Sequence, residues 1–220
     1  MFRLPVLILL VYSLYASKLM AQSPVRFGTG VFAGINLAQV DGDDMQGYDK
    51  PGLNFGLRGI TYILPAFEFH TELSYSQRGS QSKGFGRDLF KGRQMVLDYG
   101  SITGLLSVSD WFDPIKEFYR IQIQGGVSYG RLIKSETQDV VHNDARIIPF
   151  DEIAPFFNSS DLSMVLGANI KFTEHIGLSL RYNRSMSLLF DSEAAKKHFM
   201  TKSPLSMKSY FLSIDTFYQF

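Results

Sequence analysis

The last eleven residues, YFLSIDTFYQF at positions 210–220, decide the fold because their side chains alternate in character with a period of two. One face of this segment is mainly apolar and contains Tyr210, Leu212, Ile214, Thr216, Tyr218 and Phe220. The other face carries the polar side chains of Ser213, Asp215 and Gln219. Successive side chains of a β-strand point to opposite faces, so the alternation predicts a strand with one apolar face.

The same alternation recurs in seven segments upstream, and helical periodicity is nearly absent after Val25. These segments lie near residues 27–37, 54–59, 67–76, 94–107, 119–130, 162–173 and 176–183. Together with the last segment they predict about eight strands. In the fourth, Leu97 and Tyr99 are apolar on one parity, whereas Ile102 and Leu106 are apolar on the other. We therefore predict a β-bulge near Gly100.

The gaps between these segments alternate between long and short. The long gaps lie near residues 39–51, 80–93, 133–160 and 189–207, and the short ones near 64–66, 109–117 and 173–175. A soluble β-sandwich also has alternating strands, but a loop as long as 138–160 is unusual in a compact soluble domain. An even strand number with long loops at one end and tight turns at the other is typical of outer-membrane barrels.

The N-terminus resembles an export signal. Arg3 provides the positive start, residues 4–15 form an apolar stretch, and Ala21 is a small residue before the expected cleavage point. An uncleaved membrane anchor is the alternative, but the stretch is shorter than the roughly 20 residues that a spanning helix needs. We predict a signal peptide over residues 1–21 and one barrel domain over 22–220, because only helices and closed barrels satisfy the backbone inside lipid.

The chain ends on an aromatic residue, Phe220, at the end of an alternating strand. A terminal aromatic in that position is the usual assembly signal of outer-membrane barrels. We therefore expect the C-terminal strand to be recognised by the barrel-assembly machinery. The predicted location is the bacterial outer membrane, with its lipid as the surrounding partner.

Composition excludes several classes of function. The chain has 22 Lys and Arg against 21 Asp and Glu, so it has no general attraction for phosphate, and we predict no nucleic-acid partner. It has no Cys, which excludes disulfides, thiolate catalysis and Cys-based zinc sites.

Charged side chains recur on the polar faces of the predicted strands. The expected lumen network consists of Arg58, Glu68, His70, Glu72, Asp98, Arg120, Lys171, Arg181 and Asp215. Eight strands leave an interior just wide enough for side chains to fill, so we expect these groups to pair and plug the barrel. A proton or ion path is the alternative.

His70 with Glu72 suggests a general base or a metal site, but no nucleophile or third ligand stands at a recognisable spacing. We predict no catalytic residue, no metal and no cofactor, and a hydrogen-bonded core histidine instead.

The sequence resembles the PorT-like outer-membrane β-barrel family of Bacteroidetes-type bacteria over nearly all of the predicted domain. The resemblance rests on the segments GVFAGINL at 30–37, ELSYSQRG at 72–79 and LDY at 97–99. It implies an outer-membrane barrel, usually one with no known enzymatic activity, and some members of the family serve protein secretion.

We therefore expect a structural or accessory subunit of an envelope or secretion assembly. It would contact partners through the loops near 138–160 and 191–206. Phe150, Phe156 and Phe157 in the first loop suggest either a partner surface or a folded lid. A narrow channel for small solutes and a lipid-modifying enzyme are the alternative functions.

Overall fold

The computed structural model describes residues 26–42, 47–82, 93–138, 156–190 and 207–220. The predicted signal peptide at 1–21 lies outside these residues. Within them there is no helix of the length and apolar character that a membrane crossing requires.

Eight antiparallel strands close into a barrel in which each strand pairs with its neighbours along the chain and β1 pairs with β8. The strands are β1 (Phe27–Asp41), β2 (Lys50–Leu64), β3 (Phe67–Gln81), β4 (Gln94–Asp113), β5 (Phe118–Gln138), β6 (Ser160–Lys171), β7 (Ile176–Ser185) and β8 (Lys208–Gln219). The predicted antiparallel up-and-down barrel of eight strands is confirmed.

The two ends of the barrel differ as predicted. The connections 65–66, 114–117 and 172–175 are short and lie at the same end as residues 27 and 220; we call this the short-turn end. The connections 42–49, 82–93, 139–159 and 186–207 are longer and lie at the opposite, long-loop end. Seven of the strands exceed the ten or so residues needed to cross a membrane, most of all β4 and β5 with 20 and 21.

The outer surface of the barrel is apolar because alternate side chains of every strand point away from the axis. Leu57, Leu73, Leu166 and Leu180 are 61%, 60%, 57% and 52% exposed, whereas Arg58, Glu72, Val165 and Ser179 beside them along the strands are buried inside. Large apolar side chains that remain exposed around a whole cylinder require an apolar solvent, which is the hydrocarbon of a bilayer.

The predicted phase change in the fourth strand is wrong. β4 keeps one parity from Met95 to Ser109, with Leu97 and Tyr99 fully buried inside and Ile102 and Leu106 exposed outside. The irregularity lies on β5 instead, where Tyr99 pairs with Leu132 and Asp98 with Lys134, so that Ile133 is left out of the register. Sequence pattern failed here because the interior turns from polar to apolar near the long-loop end, and an apolar side chain there does not indicate the outer face.

Depth along the barrel axis allows a test of the lipid-facing surface. Leu180 lies in the middle of β7 and Leu162 near the long-loop end of β6, and both point outward. Leu180→Arg should cost about 2–4 kcal/mol of folding free energy, because it places a cation near the bilayer midplane. Leu162→Arg should cost about 0–1 kcal/mol, because the same side chain reaches the interface there. Urea unfolding in phospholipid vesicles measures both, and equal costs for the two variants would contradict the placement of the apolar belt.

Candidate functional site

The centre of the lumen is organised around one carboxylate, Glu72 on β3. Arg58 on β2 donates from Nε to Glu72 Oε1 at 2.7 Å. Arg181 on β7 reaches the same group from the other side of the barrel and donates from Nη1 to Oε2 at 2.7 Å and from Nη2 to Oε1 at 2.9 Å. All three side chains are almost fully buried. Charge-assisted and bidentate bonds of this kind are among the strongest in proteins, so they fix the two arginines in place.

Aromatic rings and a second carboxylate complete this central layer. The Arg58 guanidinium lies 5.6 Å from the ring centroid of Phe32 and 5.0 Å from that of Phe217. Asp215 on β8 accepts a hydrogen bond from Asn54 Nδ2 at 2.7 Å. Two guanidinium groups therefore face two carboxyl groups, and cation–π contacts cover the part of Arg58 that makes no hydrogen bond.

A second layer lies between the centre and the short-turn end. Glu68 Oε2 is 2.7 Å from His70 Nε2, and Gln122 Nε2 donates to the same oxygen at 3.1 Å. The other ring nitrogen of His70, Nδ1, is 3.0 Å from Gln124 Nε2. Lys171 lies near enough to Glu68 for electrostatic attraction. His70 is fully buried and held on both nitrogens, and no group of three or more His, Asp and Glu among the described residues is arranged to hold a metal ion.

A third layer toward the long-loop end was missed by sequence reasoning. Arg78 Nη1 donates to Asp161 Oδ2 at 2.6 Å. Asp161 also accepts hydrogen bonds from the hydroxyls of three serines, Ser163, Ser185 and Ser187. The alternation along each strand could have identified both residues, because Arg78 continues the inward-pointing positions of β3 and Asp161 continues those of β6. Both were overlooked because the predicted strands stopped short of them.

An apolar lid covers the lumen at the long-loop end. It consists of Val40, Met95, Leu97, Tyr99, Phe157, Leu189, Phe190 and Met207, with Leu132 and Phe156 packed against it. Phe157 and Phe190 form an isolated antiparallel bridge between the two loops that flank β6 and β7. Of the two roles considered for the loop phenylalanines, the structure places Phe156 and Phe157 in a folded lid. Phe150 lies outside the described residues.

Two predicted members of the lumen network lie elsewhere. Asp98 has the outward parity of β4 and accepts a hydrogen bond from Gln77 Nε2 at 2.9 Å, so its inclusion in the network was wrong and follows from the misassigned phase of β4. Arg120 has inward parity but lies at the rim of the short-turn end. It pairs with Asp113 at 2.6 Å, and 37% of its side chain is exposed.

The three layers and the lid fill the lumen. The three layers contain the cations Arg58, Arg78, Lys171 and Arg181 and the acidic residues Glu68, Glu72, Asp161 and Asp215, and two further buried cations, Lys50 and Arg93, lie at the long-loop end. A cavity between the central layer and the third layer has a volume of about 20 Å³, and Glu72, Arg78 and Arg181 lie in its wall. A space of that size holds about one water molecule. The described residues therefore form a packed interior in which each layer contains charges of both signs.

Removing the central carboxylate tests this arrangement. Glu72→Gln should cost about 3–5 kcal/mol of folding free energy, because Arg58 and Arg181 are then buried beside each other without their counter-ion. Glu72→Gln combined with Arg181→Gln should be no less stable than Glu72→Gln alone, because the double variant removes one charge of each sign. Equilibrium unfolding with urea in detergent micelles measures both.

Glu136→Gln is a matched control, since Glu136 makes an exposed ion pair with Lys134 near the long-loop end of β5. Its loss should leave stability unchanged within error, as is usual for surface pairs. A Glu72→Gln variant as stable as Glu136→Gln would contradict the central role of Glu72.

The chain is similar to several solved structures, each at low sequence identity. The chain is similar to Ail, the attachment invasion locus protein of Yersinia pestis, with 12% identity and a TM-score of 0.47, over 89% of this chain and 100% of Ail. It is similar to Neisserial surface protein A, with 11% identity and a TM-score of 0.45, over 88% and 97%. OprG from Pseudomonas aeruginosa gives 14% identity and a TM-score of 0.37, over 89% and 93%. None of the curated proteins matches the sequence.

A protein-family model gives the assignment. The model described as outer membrane protein beta-barrel domain matches residues 20–191, which is most of the chain. The match covers β1 to β7, the strands that carry most of the lumen network. The chain therefore belongs to the outer-membrane β-barrel domain family, and it is a protein of the bacterial outer membrane.

Proposed function

We propose that this barrel is a plugged structural or accessory subunit of an envelope or secretion assembly, which binds its partners through its long loops. The observation that supports the proposal is the filled lumen, in which three ion-paired layers lie beneath an apolar lid. A barrel whose interior is occupied by its own side chains offers its surfaces, rather than a pore, for function. In an outer-membrane barrel the long-loop end faces the outside of the cell.

The lid also gives the long loops a fixed base. Asn158 donates from its backbone N–H to Leu189 O and from Nδ2 to Leu188 O, both at 2.8 Å. Leu189 N donates to Met207 O at 2.9 Å, which ties the start of β8 to the same group. The ends of two loops are thus joined above the lumen. Loops with a rigid base lose less conformational entropy on binding, which favours a role in recognition.

The finer assignment to PorT-like proteins is part of this proposal. It is supported by the three segments of resemblance, and a role in secretion follows from that resemblance alone. The proposal includes no catalytic step. Neither histidine in the described part of the chain contacts a serine hydroxyl: His70 lies between Glu68 and Gln124, and His175 Nδ1 is 2.9 Å from Gln219 O.

Conductance separates this proposal from the alternative of a narrow channel. The purified barrel inserted into a planar phospholipid bilayer should give no reproducible current steps, because the described side chains of the three layers and the lid occupy its lumen. An open porin measured under the same conditions is the positive control. Reproducible unitary steps from the barrel would support transport and contradict the plug.

Photocrosslinking in intact cells tests the proposed contact surface. A photoreactive amino acid at Leu188, which is 39% exposed beside the lid, should give a discrete crosslinked product with an envelope protein. The same group at Lys116, exposed in the turn at the opposite end of the barrel, is the matched control. A product at Lys116 without one at Leu188 would overturn the assignment of the long-loop end as the binding surface.

A further inference from the structure

A cleft of about 750 Å³ opens at the short-turn end between the start of β1 and the end of β2. Its walls include Arg26, Phe27, Tyr62, Ile63 and Leu64, and we call it the rim cleft. Its volume lies in the range of sites that hold small organic molecules. It is separate from the lumen layers and from the long loops.

The rim cleft has an identifiable cause in the strand register. The β1–β2 ladder ends with the pair Phe27 and Thr61, after which Tyr62 N donates to Arg26 O at 2.9 Å. The β2–β3 register then shifts between Tyr62 and Leu64, so that Ile63 is left out of the ladder. A bulge bends its strand, and bulges are frequent at barrel rims. Ile63 and Leu64 extend past Arg26, the first described residue of the neighbouring segment, and the cleft lies beside them.

The walls of the rim cleft are apolar and continue the lipid-facing surface. Phe27, Ile63 and Leu64 are 72%, 52% and 63% exposed. These side chains lie at the edge of the apolar belt, where a bilayer changes from acyl chains to headgroups. Membrane lipid is therefore the molecule that contacts this surface, and a polar group in the cleft would bind its headgroup.

A single cation gives the rim cleft its polarity. Arg26 is exposed, and its backbone is fixed by the bond from Tyr62. Its guanidinium makes no ion pair with a carboxylate in the described part of the chain. A planar guanidinium donates two parallel hydrogen bonds to phosphate oxygens, so an arginine above apolar walls matches a phosphate ester that carries acyl chains.

We propose that the rim cleft binds one glycerophospholipid of the periplasmic leaflet, with the phosphate on Arg26 and the acyl chains against Phe27, Ile63 and Leu64. The short-turn end faces the periplasm in an outer-membrane barrel. The site does not depend on the proposed role of the long loops.

Native mass spectrometry of the delipidated full chain in detergent, with phosphatidylglycerol added, tests the site. The wild-type protein should retain one phosphatidylglycerol. Arg26→Gln should lower the occupancy about tenfold by removing the phosphate contact, and Arg26→Lys should restore part of it. Lys116→Gln removes an exposed cation from the β4–β5 turn, outside the cleft, and should bind like the wild type. Circular dichroism checks that all variants are folded.

Two further ligands identify what the cleft recognises. Diacylglycerol, which lacks the phosphate, should bind the wild type and Arg26→Gln equally, and inorganic phosphate should not displace phosphatidylglycerol. The proposal is overturned if Arg26→Gln binds as well as the wild type, or if Lys116→Gln loses as much binding. Displacement by inorganic phosphate would assign the cleft to the free anion instead. Absence of bound lipid on the wild type would likewise overturn the proposal.

Discussion

The structure depends on one constraint: inside hydrocarbon every backbone N–H and C=O group must find a partner within the protein. The pairing of β1 with β8, in register from Gly30 with Gln219 to Asp41 with Lys208, removes the two edges that an open sheet would expose. Closure fixes which side chains face the membrane and which face the axis, because parity along each strand is strict. The apolar outside and the polar inside are both consequences of that closure.

Closure also creates the main electrostatic problem of the fold, since charges on the inner face cannot reach bulk water. The barrel solves it by matching cations and carboxylates across the lumen rather than along one strand. Glu72 illustrates this, because one of its arginines is its register partner on β2 and the other comes from β7 on the far side. Such contacts hold opposite walls together and make the interior a packed core. A plugged interior in turn leaves the loops and the rims as the surfaces available for function.

The features that could be predicted from the sequence are those with a strong local alternation of apolar and polar residues. Each strand has a period of two in its own sequence, and this local pattern predicts the number of strands and the alternation of long and short loops. It also predicts which charged and polar side chains point inward, namely Arg58, Glu68, His70, Glu72, Arg181 and Asp215. Asp98 was misplaced because the rule that polar means inside fails where the lumen becomes apolar beneath the lid. Arg78 and Asp161 were missed because the ends of strands carry weak pattern, and their pairing joins residues 83 positions apart.

The sequence by itself determined that this protein is a barrel with an apolar outside, since alternation is a local property of each strand. Only the tertiary structure decided which inward charge meets which, where the lid closes and where the rim cleft opens. These features depend on register and on contacts across the barrel axis. Register is set jointly by all eight strands when the ladder closes, so no single segment contains that information.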